Sequence, residues 1–397
     1  MNSDHMNFRR LFVTTALILI ATFNCMAAGE MPIIAYMGVP YDKTSEEHFR
    51  TFSECGFNVS LYIYPDLEQM IRACRIADKY GVKILGHCAE THDTPELAAT
   101  KMKNVPGFFG YVLQDEPTSE QIAVLRHEME RLQKVDDNHC FYVNLLPYYD
   151  EGALRHLKVR SYEEYLDIAA ATPCRQLSFY YYPITKDGLR EGWYQNLEIV
   201  RRQSLKAGKP FWGYVLSGPH YLYPQPTMGS LRLQVYSNLA YGAQAIQYFT
   251  YWTPRPDGIY DYHDGPVNAN GDKTRTYTLV QQMNRELKSV APLFYGARVT
   301  SVGHLGKISK GAQRLKSTPE NISLLKVTSR RGAVITTFEQ QRHHYIGINN
   351  KDYRQDMKLQ IKVKNNTPRR ITKGLQEEVL KPVYTIDAGD ILIIRTN

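Results

Sequence analysis

From Pro32 onward the chain alternates two hydrophobic patterns. Short, continuous apolar runs occupy 32–37, 57–64, 82–87, 108–113, 139–144, 176–182, 210–216 and 245–252. Runs of this length and character read as strands covered on both faces. Between and after them, apolar residues recur three and four positions apart over 45–56, 66–80, 119–134, 162–171, 191–207, 230–241 and 274–290, and Pro95-Glu96 opens a further helix. Start signals such as Ser45 and Asp66 precede these segments, and Gly81, Gly208 and Gly242 follow them, as helix boundaries require. Eight strands alternating with eight helices over about 270 residues predict a (β/α)8 TIM barrel rather than an open doubly wound sheet. No Gly-x-Gly-x-x-Gly or Walker-type loop supports a nucleotide site.

Near Thr300 the period shortens to strict alternation. Runs at 333–338, 344–348, 358–363 and 391–394 are separated by turn residues. They predict a small antiparallel β-sandwich. The division expected is a leader over 1–27, a barrel over 28–298 and a sandwich over 299–397.

Charge sharpens that division. Residues 301–397 hold 18 Lys and Arg against 8 Asp and Glu, whereas the whole chain carries a formal +8. A basic surface of this kind reads as a solvated face, because no arginine-rich block or nucleic-acid motif accompanies it. At the N-terminus, Arg9-Arg10, the apolar run from Leu11 to Phe23 and the small residues around Ala27 and Ala28 form a secretory signal pattern. Export to the periplasm or the medium is expected, with lipid anchoring through Cys25 the lesser alternative. No later stretch is long enough to span a membrane. Cys55, Cys74, Cys88, Cys140 and Cys174 are scattered, lack Cys-x-x-Cys spacing and are expected as buried thiols, not a disulfide or zinc framework. No cofactor or metal is called for, and no feature sets an oligomeric state.

The candidate chemistry centres on Gly110-Tyr111-Val112-Leu113-Gln114-Asp115-Glu116-Pro117. A buried strand ends in two carboxylates, a proline stops the ladder, and Thr118-Ser119-Glu120 starts a helix. In a barrel this places the acids at the mouth, where active sites collect. The plain alternative is that they merely cap the next helix. Other strand ends contribute Tyr64, His87, Glu90, Asn144, Tyr181, Tyr182, Ser217, His220, Tyr251 and Trp252. The loop after strand eight adds Asp257, Asp261, His263 and Asp264. Carboxylates supply the acid and its partner for glycosidic cleavage. Aromatic faces stack on sugar rings, and 29 tyrosines are available. His87 and His92 flank Glu90, but such loop histidines ordinarily hydrogen-bond rather than bind metal. Ser217 and His220 lack a Gly-x-Ser-x-Gly elbow.

These features together resemble the clan A glycoside hydrolases, in particular the family 42 β-galactosidase type and related Bacteroidetes proteins. The motifs that carry the likeness are the Asp115-Glu116 stretch and Tyr248-Phe249-Thr250-Tyr251-Trp252-Thr253-Pro254. The resemblance implies that Glu116 is the acid/base, with Asp115 standing where the clan has asparagine. It also implies a glutamate at the end of strand seven, where this chain has Val215-Leu216-Ser217-Gly218-Pro219-His220. The partner carboxylate is therefore expected from Glu90 or from the Asp257–Asp264 loop. Trp252 with Tyr181 or Tyr182 is expected to form a sugar-stacking wall. Tyr64, His87, Asn144, His220, Tyr251, Asp257 and Asp261 complete the expected carbohydrate site. The rival expectation is a catalytically silent, carbohydrate-binding barrel.

Overall fold

A computed structural model describes residues 29–365 and 367–397. The expected leader lies outside these residues. Eight parallel strands close into a barrel in sequential order: β1 (Ile33–Tyr36), β2 (Val59–Ile63), β3 (Lys83–His87), β4 (Phe108–Asp115), β5 (Cys140–Leu145), β6 (Leu177–Phe179), β7 (Phe211–Leu216) and β8 (Ala245–Phe249). The main helices that follow them are α1 (Glu46–Glu54), α2 (Leu67–Asp78), α3 (Pro95–Met102), α4 (Ser119–Gln133), α5 (Tyr162–Ala170), α6 (Gly192–Ala207), α7 (Met228–Tyr241) and α8 (Arg275–Phe294). The capping signals act as their chemistry requires. Ser45 and Asp66 accept hydrogen bonds from backbone amides of the first helical turn. Gly208 and Gly242 close α6 and α7 with φ of 64° and 102°, a region that costs glycine little.

Side-chain alternation, interrupted in β4 by register shifts against both neighbouring strands, sorts the barrel into an outer and an inner core. Phe108, Tyr111 and Leu113 of β4 face the helices, while Phe109 and Val112 pack inside with Ile34, Leu61, Leu85, Tyr142 and Trp212. Above this apolar plug lies a buried polar layer. Tyr142 donates to Gln247 at 2.8 Å and shares a 2.8 Å hydrogen bond with Tyr214; Gln247 donates to Ser178 at 2.8 Å. Two apolar runs stop earlier than expected. β6 ends at Phe179 and β8 at Phe249, so Tyr180–Tyr182 and Tyr251–Trp252 lie beyond the ladder.

After α8 the chain enters β9 (Arg298–Leu305), then β10 (Ile322–Thr328), β11 (Ala333–Gln340), β12 (His343–Asn350), β13 (Met357–Val363), β14 (Arg369–Ile371), β15 (Glu377–Val379), β16 (Val383–Ile386) and β17 (Ile391–Arg395). A six-stranded antiparallel sheet, ordered β9-β11-β12-β17-β14-β15, faces a three-stranded one, β10-β13-β16. The larger sheet is buried on both sides, and the alternation shows how. Ile335, Ile346, Leu392 and Ile394 pack on Leu359 and Ile361 of the smaller sheet. Val334, Phe338, Tyr345 and Ile393 join the barrel's outer core, with Phe338 stacked on Phe294 at 4.8 Å. All five cysteines in the described residues are buried. No helix among the described residues is long and apolar enough to cross a membrane.

Candidate active site

A cavity of about 710 Å³ opens at the C-terminal ends of the strands. Asp115, Glu116, Asn144, Tyr182, His220 and Asp257 line it, together with Tyr36, Met37, Tyr149, Tyr180, Arg190, Tyr214, Tyr223, Phe249, Arg255, Tyr260 and Tyr262. The acid pair is not used for helix capping. Thr118 accepts the Gln121 amide at 3.4 Å, and the Gln121 side chain accepts the Thr118 amide at 2.8 Å, so α4 is closed without either acid.

Strand alternation alone would send Asp115 and Glu116 to opposite faces, yet both reach the cavity. Asp115 is the last residue of β4 and lies in register with Asn144 of β5. Glu116 follows with φ of 51°, a left-handed conformation that non-glycine residues adopt rarely and that collects at functional sites. That turn swings Glu116 back over the mouth, while its amide still donates to the Asn144 carbonyl at 2.8 Å.

Asp115 is fixed from two sides. Asn144 donates to one carboxylate oxygen at 2.9 Å, and the Tyr36 hydroxyl donates to the other at 3.4 Å. Ser178 in turn donates to Asn144 Oδ1 at 3.1 Å, which ties the acid to the polar layer below. Crowding by the cavity walls raises the Asp115 pKa although solvent reaches it, and the two hydrogen bonds offset that only in part. Glu116 is likewise raised, first by burial and then by the neighbouring Asp115 charge, against a lowering hydrogen bond from Tyr180. Asp257 moves the other way. The amides of Ile259 and Tyr260 donate to its Oδ1 at 3.0 and 2.9 Å and hold the carboxyl below its usual range.

The remaining expected positions fall elsewhere, each for a visible reason. Glu90 does not line the cavity; its carboxylate accepts the Leu67 amide at 3.3 Å, at the start of α2. Glu90 is therefore not among the acids that share the cavity with Glu116. His87, the last residue of β3, places its Nδ1 within 3.2 Å of both the Val112 carbonyl and the Thr91 hydroxyl. His92 reaches the Leu113 carbonyl at 3.1 Å and Glu128 at 2.5 Å. Tyr64 and Tyr251 are core residues, 2% and 1% exposed, and Tyr251 packs edge-on against Phe52 at 4.7 Å. Trp252 is buried behind the mouth, with His48 at 5.3 Å and Gly271 against its ring. It is therefore not placed as a stacking wall. Tyr181 packs on Tyr149 at 5.2 Å from outside the cavity lining. Asp261 is a strut: its carboxylate accepts the Tyr221 amide and holds the strand-seven loop.

The aromatic wall is made by other tyrosines. Tyr180 and Tyr182 lie 5.1 Å apart, Tyr182 meets Tyr223 at 5.6 Å, and Tyr180 and Tyr36 each meet Tyr214 at 6.4 Å. Parity in the Tyr180-Tyr181-Tyr182 run was the available signal: residues two apart share a side, which pairs Tyr180 with Tyr182 and excludes Tyr181. Tyr36 was equally accessible as the C-terminal residue of β1. Tyr149, Arg190, Tyr223, Tyr260 and Tyr262 sit on loops, where no period marks the inward face.

Residues 118–290 match the model of a β-galactosidase family, Glyco_hydro_42. The chain is similar to the family 42 glycoside hydrolases. The match begins just after Glu116 and so covers the second part of the barrel without the acid pair. Solved structures extend the likeness. A β-galactosidase from Bacillus circulans sp. alkalophilus superposes with a TM-score of 0.63 at 12% identity, over 92% of this chain and 99% of that one. A catalytic mutant of a family 42 β-galactosidase from G. stearothermophilus gives 0.60 at 8% identity, over 93% and 98%. A β-galactosidase from the psychrophilic Marinomonas ef1 gives 0.52 at 12%, over 66% and 60%, so this chain spans about three fifths of that protein's length. At these identities the superpositions establish the fold. No curated protein matches the chain. The family 42 likeness supports a glycosidase, and the expected barrel with its added β domain is borne out.

Proposed function

We propose that the chain hydrolyses glycosidic bonds of an oligo- or polysaccharide with Glu116 as general acid and Asp257 as the ionised partner. The observation that carries this is the separation of two cavity acids by environment: Glu116 is pushed up by burial, and Asp257 is held down by two backbone amides. Carboxylates driven apart in this way divide naturally into a proton donor and a charged base or nucleophile. Glu116 protonates the leaving oxygen, and the rings of Tyr180, Tyr182 and Tyr214 flank the sugar. Asp257 uses Oδ1 for its turn and keeps Oδ2 for a water or the anomeric carbon. Asp115 positions the site through Asn144 and Tyr36.

The test is turnover of glycosides with poor and with activated leaving groups by Glu116→Gln and Asp257→Asn. Glu116→Gln should lose about 10²–10⁴-fold on poor leaving groups, and far less on activated aryl glycosides. Near-normal turnover on both would reject the assignment. Proton NMR of the first-formed anomer then separates a retaining from an inverting course.

A second reading keeps the cavity and drops the reaction. Strand seven ends in Leu216 with no acid, and Asp257 stands on an exposed loop; both favour a silent carbohydrate-binding barrel. Sugar binding with no turnover across aryl glycosides and plant or host glycans would select it. The leader pattern before Ala28 further suggests export, checked by a processed N-terminus between Cys25 and Glu30 in mass spectrometry.

A further inference from the structure

Arg190 stands in the cavity wall without an acid. It follows a short hairpin after β6, and its amide donates to the Pro183 carbonyl at 2.8 Å, which fixes the backbone. Its guanidinium carbon lies 5.3 Å from the Tyr149 ring centre and 5.5 Å from that of Tyr223. Two rings hold the planar group and leave donors on its edge. The Tyr223 hydroxyl lies within reach of them. Among the described residues no carboxylate comes within ion-pairing distance of Arg190. Arg232, similarly enclosed, is bonded through two nitrogens to Glu286 at 3.0 and 2.6 Å. A half-buried guanidinium ordinarily takes such a partner, because its fork matches a carboxylate or an oxyanion of sulfur or phosphorus.

The position relative to the acid matters as much. Glu116 is within reach of Tyr180, Tyr180 of Tyr149, and Tyr149 of Tyr223, which contacts Arg190. Arg190 therefore shares one tyrosine-lined wall with Glu116, displaced from it by the width of these rings. Arg255 adds a second positive charge at the rim. A sugar seated against this wall with its scissile oxygen at Glu116 presents another ring substituent to Arg190.

We propose that Arg190 recognises an anionic substituent, a carboxylate or a sulfate ester, on the sugar in this cavity, so that the substrate is an acidic glycan. The proposal rests on the carbohydrate function above and adds its substrate class. The negative charges of Asp115 and Asp257 repel an anion placed at random, so Arg190 also sets the orientation of the ring.

The test is calorimetric titration of the full chain with methyl β-glycosides of galactose and glucose, of their uronic acids and of their 6-sulfates, which differ only at carbon six. The acidic member of at least one series should bind about tenfold to hundredfold more tightly than its neutral parent. Uronate and sulfate arms distinguish the two sources of charge. Arg190→Gln should erase that preference by weakening the acidic glycoside about tenfold or more and its neutral parent much less, while Arg190→Lys, which keeps the charge without the fork, should fall between. Neutral sugars binding as tightly as charged ones would overturn the proposal, as would a failure of the whole panel to bind. Equal loss of neutral and acidic affinity in Arg190→Gln would also overturn it, because Arg190 would then only clamp Tyr149 to Tyr223. Turnover of glycosides without any acidic preference sinks the anion site and spares the hydrolase. Acidic preference without turnover does the reverse.

Discussion

Two regions of the molecule bury acids, and they treat them in opposite ways. At the seam between barrel and β domain, Glu286 of α8 receives Arg232 of α7 at 2.6 Å and Lys373 at 2.6 Å, and Lys373 also reaches Asp390 at 2.9 Å. Burial would raise the Glu286 pKa, but the hydrogen bonds from Arg232 and Lys373 outweigh it and hold the carboxyl below its usual range. At the mouth, Glu116 is also half-buried, and burial with the Asp115 charge outweighs the lowering effects of the Tyr180 hydrogen bond and of His156, so its pKa moves up. The difference is the partner. A cation compensates for lost water; a phenol and a like charge do not. The seam is built to stay ionised and hold two domains together. The mouth shifts its glutamate toward the protonated form.

Replacing the key acid in each region separates these roles. The largest effect expected is on chemistry: Glu116→Gln should cost about 10²–10⁴-fold in turnover on unactivated glycosides, read by steady-state kinetics. Glu286→Ala should leave Arg232 and Lys373 with Asp390 and Asp387 as their remaining acids and destabilise the fold by about 1–3 kcal/mol, read by denaturant titration, with the site's sugar affinity retained. A loss of only a few tenths would mean that the seam charges are solvated rather than structural.

The pH dependence should also run in opposite directions. Glu286, with a depressed folded value, contributes stability above the ordinary glutamate value of 4.5, and that is lost as pH falls through its folded value. Glu116, with a raised folded value, costs stability once the pH rises past that value, and the cost vanishes below 4.5. Glu116→Gln should therefore raise the melting temperature at pH 7 by about 1 °C or more, with no gain at pH 4. Equal effects at both pH values would point to packing instead.

The same contrast explains what the sequence could tell. Eight apolar runs and the switch to alternation after Thr300 are repeated, periodic signals, and they yielded the barrel and the β domain. Position within the mouth is a signal of one residue at a time. Asp115, Asn144, Tyr182, His220 and Asp257 were legible as strand ends or loop acids that now line the cavity with Glu116. Tyr251 and Trp252 misled because their apolar run continues past Phe249, where the ladder stops and the chain turns into the core. Glu90 misled because an acid near a strand end serves equally well at a helix N-terminus, and α2 is the nearer claimant. Arg190 gave no signal, since an arginine on a loop reads as surface until two distant tyrosines are folded around it.

Direct titration of Glu116 tests the central contrast most closely. In protein labelled with ¹³C at glutamate carboxyls, with Glu116→Gln used to assign the resonance, the midpoint should lie above 4.5. Tyr180→Phe removes the hydrogen bond that lowers it, so the midpoint should rise further. A Glu116 midpoint at or below 4.5, or one that falls in Tyr180→Phe, would contradict the assignment of this carboxyl as the proton donor at the mouth.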